Sequence, residues 1–422
     1  MLFRRVQDRS AMRCRRTVWV VAAVLSLVAV GCSEDPAERS AGRPDGASGN
    51  PADSVATTTT TFEAEAFTGP TDDFYVVPNP LPEVAPGDLI RTQEVAADAS
   101  GRTLRIMYRS DDAAGRPRGV TGTVTVPAGE PPAGGWPIVT VAPGTVGLAS
   151  RCALSRNGGP VLDVGVPAIR VMTDYIGMGP VGETMPYLSR TSEGNSVLDA
   201  ARAARSLAGD DASATVAIFG HSQGGHGAQS AHELAEDRAP ELDVVGTVSV
   251  APAAMFDRTY GGIDDFVSRI VTTMSLYGAA TERGDIVPTD YVNPEVAEAS
   301  AVLGTDCLDT VITTLVPFAV RPDYWKADPF VTEPAVSLMR ENDVGNVATD
   351  APLLLIGGTA DERVVEQRVF DLRDRLCSVE QVTQFVMLDG ADHSAEVPRA
   401  MPQISAWIAD RFAGRPAKNE CP

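Results

Sequence analysis

The stretch "ATVAIFGHSQGGHGAQSAHELAED", residues 214–237, decides how the chain is read. Its first seven residues are mostly apolar and β-prone, as a buried strand requires, and residues 225–237 carry a helical pattern that Pro240 closes. Between the two stands Gly220-His221-Ser222-Gln223-Gly224, a GxSxG spacing. Alone, such a spacing is a glycine-rich turn that recurs by chance; after a strand and before a helix it has a mechanical meaning. The glycines let the turn close tightly around a strained serine and lift the Ser222 hydroxyl out at the carboxyl edge of a sheet, above a helix N-terminus. Ser222 then reads as a nucleophile, and the N–H of Gln223 points to where a tetrahedral oxyanion would form.

A serine nucleophile needs a base, and the chain has only four histidines: His221, His226, His232 and His393. His221 lies on the turn itself, where its side chain is expected to diverge from the serine's. His226 and His232 lie on the following helix and read as packed or solvated helix residues. His393 stands in "DGADHS", just after the last expected strand, at the edge where ligands bind in open α/β sheets. Asp361, in "LLLIGGTADERV", follows the preceding strand and is placed to orient that imidazole, with Glu362 and Asp392 as fallbacks. The order serine, aspartate, histidine is the hydrolase order.

Outward from this segment, strand-like and helix-like stretches alternate. Residues 103–110 and 119–127 read as a meander pair, and 137–144, 169–175, 244–252, 351–358 and 383–390 as further strands. Helical periodicity runs over 196–209 and 400–414. Alternation of this kind predicts an α/β fold with a mostly parallel central sheet flanked by helices.

The N-terminus predicts export. Residues 1–31 join an arginine-rich start to an apolar run too short to span a bilayer comfortably, as in a signal peptide. The run ends in "AVGC", which resembles a bacterial lipoprotein box, with Ala29 where leucine is usual and Cys32 as the lipidated residue. Residues 32–70, rich in Ser, Thr, Ala, Gly and Pro, read as a flexible tether, and 71–422 as the folded domain. The formal net charge of −21 argues against a nucleic-acid partner. Apart from Cys14 in the signal and Cys32, four cysteines remain, Cys152, Cys307, Cys377 and Cys421, an even number suited to two disulfides in an oxidising compartment. Three pairings are open. The histidines lack metal-ligand spacing and the elbow does not match a phosphate-binding loop, so no metal and no cofactor is expected.

Six ordered motifs now add up: "FYVVPNPLPEVAPGDLIR" at the domain start, "PGTVGLASRCALS" (143–155), "TDYIGMG" (173–179), "GHSQGG" (220–225), "GTADERV" (358–364) and "GADH" (390–393). Together they resemble the secretory lipase family of the α/β-hydrolase superfamily, over about residues 74–414. The resemblance implies an α/β-hydrolase fold with a helical cap inserted at about 256–340. It implies ester cleavage by Ser222, His393 and Asp361, with Gln223 and Thr145 as oxyanion donors, on a small-molecule or lipid ester. Where bacterial relatives read HGT this chain has Pro143-Gly144-Thr145. The family also implies the pairings Cys152–Cys307 and Cys377–Cys421. Localisation follows as the extracellular face of the cell membrane, held by a lipid anchor. An acyltransferase on the same three residues, an exported serine peptidase and a non-catalytic surface-binding protein are the alternatives.

Overall fold

Residues 62–421, other than 100, 259, 261 and 262, are described by the computed structural model. The expected signal segment, Cys32 and the tether up to residue 61 lie outside the described residues. Three long strands, β2 (Leu89–Asp98), β3 (Gly101–Asp111) and β4 (Pro117–Pro127), form an antiparallel meander. β3 and β4 are buried along most of their length, so both faces of the sheet are covered there. The chain then adds β5 (Trp136–Ala142), β6 (Ile169–Thr173), β7 (Ala212–His221), β8 (Asp243–Val250), β9 (Leu353–Gly358) and β10 (Thr383–Leu388). With the two-residue β1 (Glu65–Ala66) the sheet order is β1-β2-β3-β4-β6-β5-β7-β8-β9-β10, and every pair from β6 to β10 is parallel.

The fold starts earlier than the tether boundary at residue 70 allows. Glu65 and Ala66 pair in parallel with Arg91 and Thr92, and the Phe67 ring meets Phe74, at the end of the short helix α1 (Thr71–Phe74), edge-on at 5.6 Å. Phe67 buries apolar surface against the domain, which ties this stretch to the fold.

Strand periodicity decides which helix covers which face. Val216 and Ile218 of β7 point into a cluster with α2 (Arg190–Ala208) and α3 (Gln223–Arg238); Ala217 and Phe219 point the other way, onto Ile404, Trp407 and Ile408 of α9 (Glu396–Phe412). α8 (Glu366–Ser378) packs Val369, Leu372 and Leu376 against Leu353 and Leu355 of β9. Because β5 returns to β6 on one side while β7 lies on its other side, the sheet order reverses there, and a crevice opens at the carboxyl ends of β5 and β7.

Between β8 and β9 the chain inserts four helices, α4 (Ile263–Ala279), α5 (Pro294–Ala299), α6 (Leu308–Ala319) and α7 (Ala335–Glu341). The disulfide Cys152–Cys307 ties the start of α6 to the loop after β5, where the N–H of Leu308 also donates to the Val146 carbonyl at 2.9 Å. A second disulfide, Cys377–Cys421, joins the end of α8 to the C-terminal tail, whose Glu420 N–H donates to the Thr383 carbonyl of β10. Among the described residues no helix is long and apolar enough to cross a membrane.

Candidate active site

Ser222 sits between β7 and α3 with φ 63° and ψ −123°, a conformation that non-glycine residues rarely adopt. The neighbouring glycines make it possible. A Cβ on Gly220 would lie 1.8 Å from the Gly224 carbonyl oxygen, and a Cβ on Gly224 would lie 2.0 Å from that of Ala142. Next door the turn is pinned: the Ser222 N–H donates to Val250, and its carbonyl accepts from Ala253 and His226. Gln223 is the first residue of α3, so its N–H has no partner within the helix and adds to the positive end of the helix dipole.

Two separate loops converge on the serine. His393, in the loop after β10, places Nε2 2.9 Å from Ser222 Oγ, and its Nδ1 lies 2.6 Å from Oδ2 of Asp361, in the loop after β9. All three side chains are buried. Asp361 Oδ1 accepts the N–H groups of Arg363 and Val364 at 2.7 and 3.0 Å. Burial would raise the Asp361 carboxyl, but the hydrogen bond and charge of His393, with the two backbone N–H groups, outweigh it and hold it below the ordinary range. A carboxylate there requires Nδ1 to carry a proton, which leaves Nε2 to accept from the serine hydroxyl. Neither fallback takes this place: Glu362 is exposed, and Asp392 accepts the N–H groups of Ser394 and Ala395.

Thr145 lies in the loop after β5, and its hydroxyl is hydrogen-bonded to that of Tyr187 at 2.7 Å. His226 and His232 are fully packed, not solvated. His226 meets Glu193 and the Asn342 carbonyl, both at 2.8 Å; His232 meets Thr247, Gln381 and Thr349, and burial lowers it to about 4.

Two further side chains neighbour the imidazole: His221, which the sequence placed on the turn with no role, and Glu396, which the sequence reading did not single out. The His221 ring lies 4.4 Å from the His393 ring, and burial followed by the charge of His393 lowers it to about 3. Glu396 is wholly buried, with Oε2 3.4 Å from His221 Nε2 and 3.9 Å from His393 Nδ1; its place three residues after His393, at the start of α9, was the signal available. Burial, then the charge of Asp361, raises Glu396 to about 10, so it stands as a neutral acid. His221, His393 and Glu396 form the one group among the described residues whose ligand atoms approach closely enough for a metal. His393 has both nitrogens engaged and Glu396 keeps its proton, so the set is poorly suited to one.

The neutral Glu396 has a thermodynamic consequence. An ordinary carboxyl near 4.5 in the unfolded chain and near 10 in the fold contributes stability below pH 4.5 that is lost as pH rises towards 10. Glu396→Gln is expected to remove that slope, up to about 1.4 kcal/mol per pH unit for one proton. Melting temperatures at pH 5, 7 and 9 should show the variant gaining on the wild type as pH rises; parallel curves would show Glu396 ionised in the fold.

A family model described as secretory lipase matches residues 160–420. A Mycobacterium tuberculosis protein named "Probable inactive lipase" is 24% identical over 381 residues, covering 82% of this chain and 83% of its own length. Lipase 6 of Candida albicans is 22% identical over 394 residues, with 83% of each chain covered. The crystal structure of Candida antarctica lipase A superposes with a TM-score of 0.68 at 20% identity, covering 83% of this chain and 88% of that one.

Proposed function

The chain belongs to the secretory lipase family, and on that premise we propose that it is an exported serine hydrolase that cleaves carboxylic esters through an acyl-enzyme. The observation that carries this reading is the unbroken hydrogen-bonded chain from Ser222 Oγ through His393 to Asp361. His393 Nε2 takes the hydroxyl proton as Oγ attacks the ester carbonyl, and Asp361 stabilises the resulting imidazolium. The Gln223 N–H, together with Thr145 across the crevice, holds the oxyanion. Collapse expels the alcohol with the proton returned by His393, and water, activated by the same base, cleaves the acyl-Ser222 ester. The helices between β8 and β9 serve as the cap over the acyl group.

One relative carries the label inactive, which makes direct assay the first test. Chromogenic p-nitrophenyl esters graded in acyl length, run beside a peptide anilide, are expected to give turnover on the esters only. Anilide cleavage at a comparable rate, or none on any ester, would sink the reading. The anchor is tested separately: the native protein is expected in the detergent phase, and Cys32→Ala in the aqueous one. Equal partitioning of the two would remove the lipid.

A further inference from the structure

Behind the crevice lies a carboxylate that the chemistry above does not use. Glu193, in the first turn of α2, is 1% exposed, and its carboxylate meets three partners, two on α3 and one in the loop before α2. Its Oε1 accepts the side-chain amide N–H of Gln223 at 2.7 Å and the backbone N–H of Leu188 at 3.0 Å. Its Oε2 lies 2.8 Å from His226 Nδ1. The other nitrogen of that ring, Nε2, faces the Asn342 carbonyl at 2.8 Å; a carbonyl can only accept, so Nε2 carries a proton. One more proton must then lie between Nδ1 and Oε2. His226 and Glu193 form a buried, proton-sharing pair anchored to the segment that follows α7.

What this pair holds is specific. Gln223 supplies the backbone N–H assigned to the oxyanion, and its own amide is buried and fixed by Glu193. Leu188 has φ 60°, a strained value that needs external support, and the residue before it, Tyr187, holds the Thr145 hydroxyl. One carboxylate therefore grips both sides of the crevice. A glutamate merely capping α2 would account for the Leu188 bond but not for a buried glutamine amide on a different helix.

We infer that Glu193, braced by His226, is a positioning residue that sets the two oxyanion-donor residues, Gln223 and Thr145, at a fixed separation. The inference rests on the hydrolase reading above. Misplaced donors cost transition-state stabilisation rather than substrate binding, so the loss falls on kcat and on affinity for a tetrahedral mimic.

Glu193→Gln is the conservative replacement: its amide donates to a neutral His226 and its carbonyl still accepts from Gln223 and Leu188. It is expected to keep kcat within about threefold of wild type, whereas Glu193→Ala should lose about 10- to 100-fold in kcat and weaken inhibition by butylboronic acid by a similar factor, with KM within about twofold. If Glu193→Ala does not fold, Gln223→Leu removes the gripped amide and keeps the backbone N–H, and it should lose about tenfold in the same two quantities. A wild type that hydrolyses esters while folded Glu193→Ala or Gln223→Leu matches it in kcat and boronate affinity overturns the inference alone. The same holds if the loss appears only in KM, or if Glu193→Gln is as damaged as Glu193→Ala. A wild type that neither hydrolyses esters nor binds the boronate overturns the hydrolase reading first, and the inference with it.

Discussion

Ser222→Ala and His393→Ala are each expected to lower kcat by about 10⁴ or more, and the double variant to be scarcely worse than either single one. The reason is geometric: the 2.9 Å bond between Oγ and Nε2 makes one device of two side chains, and removing either leaves the other without work. What persists in all three variants is the contribution of the oxyanion donors and of binding. Burst and steady-state kinetics on a single p-nitrophenyl ester suffice. Losses that multiply in the double variant would mean that the two side chains act independently. His232→Ala is the comparison variant, since it removes a buried imidazole far from the serine in the hydrogen-bond network. It should keep kcat within about tenfold while losing about 1–3 kcal/mol of stability, because Thr247, Gln381 and Thr349 lose a buried partner.

Asp361→Asn is expected to be nearly as severe, about 10⁴ in kcat, with the fold intact. Oδ1 is fixed by the N–H groups of Arg363 and Val364, so the asparagine oxygen occupies that place and its NH₂ faces His393. An NH₂ facing Nδ1 demands an acceptor there, which moves the ring proton to Nε2 and blocks the serine's proton transfer. Glu362→Gln alters an exposed neighbour and should stay within about threefold, as surface changes away from a site usually do. Should the two exchange their effects, the orienting carboxylate has been misassigned.

How much of this was legible in the sequence varied with the range of the interaction. The elbow could be read because its signals are local: a β-prone run, two glycines and a helix pattern within 24 residues. Asp361 and His393 were singled out by their places after strands, and the fold brings both side chains to Ser222. The start of α2 was not. Periodicity began at Ser196, but the helix begins at Arg190, because its first turns bury Ser192, Glu193 and Asn195 instead of apolar side chains. Polar residues reach such positions only when distant partners satisfy them, and Glu193 finds its partners 30 and 33 residues away. The same limit hid Glu396, whose meaning comes from Asp361, in the loop after β9, and from His221, at the end of β7. Spacing along α3 separated His226 and His232 from the nucleophile but could not reveal that both rings are fully enclosed.

The two borders of the sheet differ in how much edge they offer to another chain. An outermost strand with free N–H and carbonyl groups is a template on which another chain can align and grow. At one border β1 is only two residues long, which gives a visitor little to align with. At the other, the C-terminal tail lies along β10: Glu420 donates to Thr383 and accepts from the Phe385 N–H, while Asn419 accepts from Thr383. Cys377–Cys421 holds that tail in place from a helix rather than from the strand it shields. Once the disulfide is reduced, the tail keeps only those hydrogen bonds and the packing of Ala417, and the outer edge of β10 is expected to open to pairing with another copy of the chain. This staple guards colloidal behaviour more than chemistry.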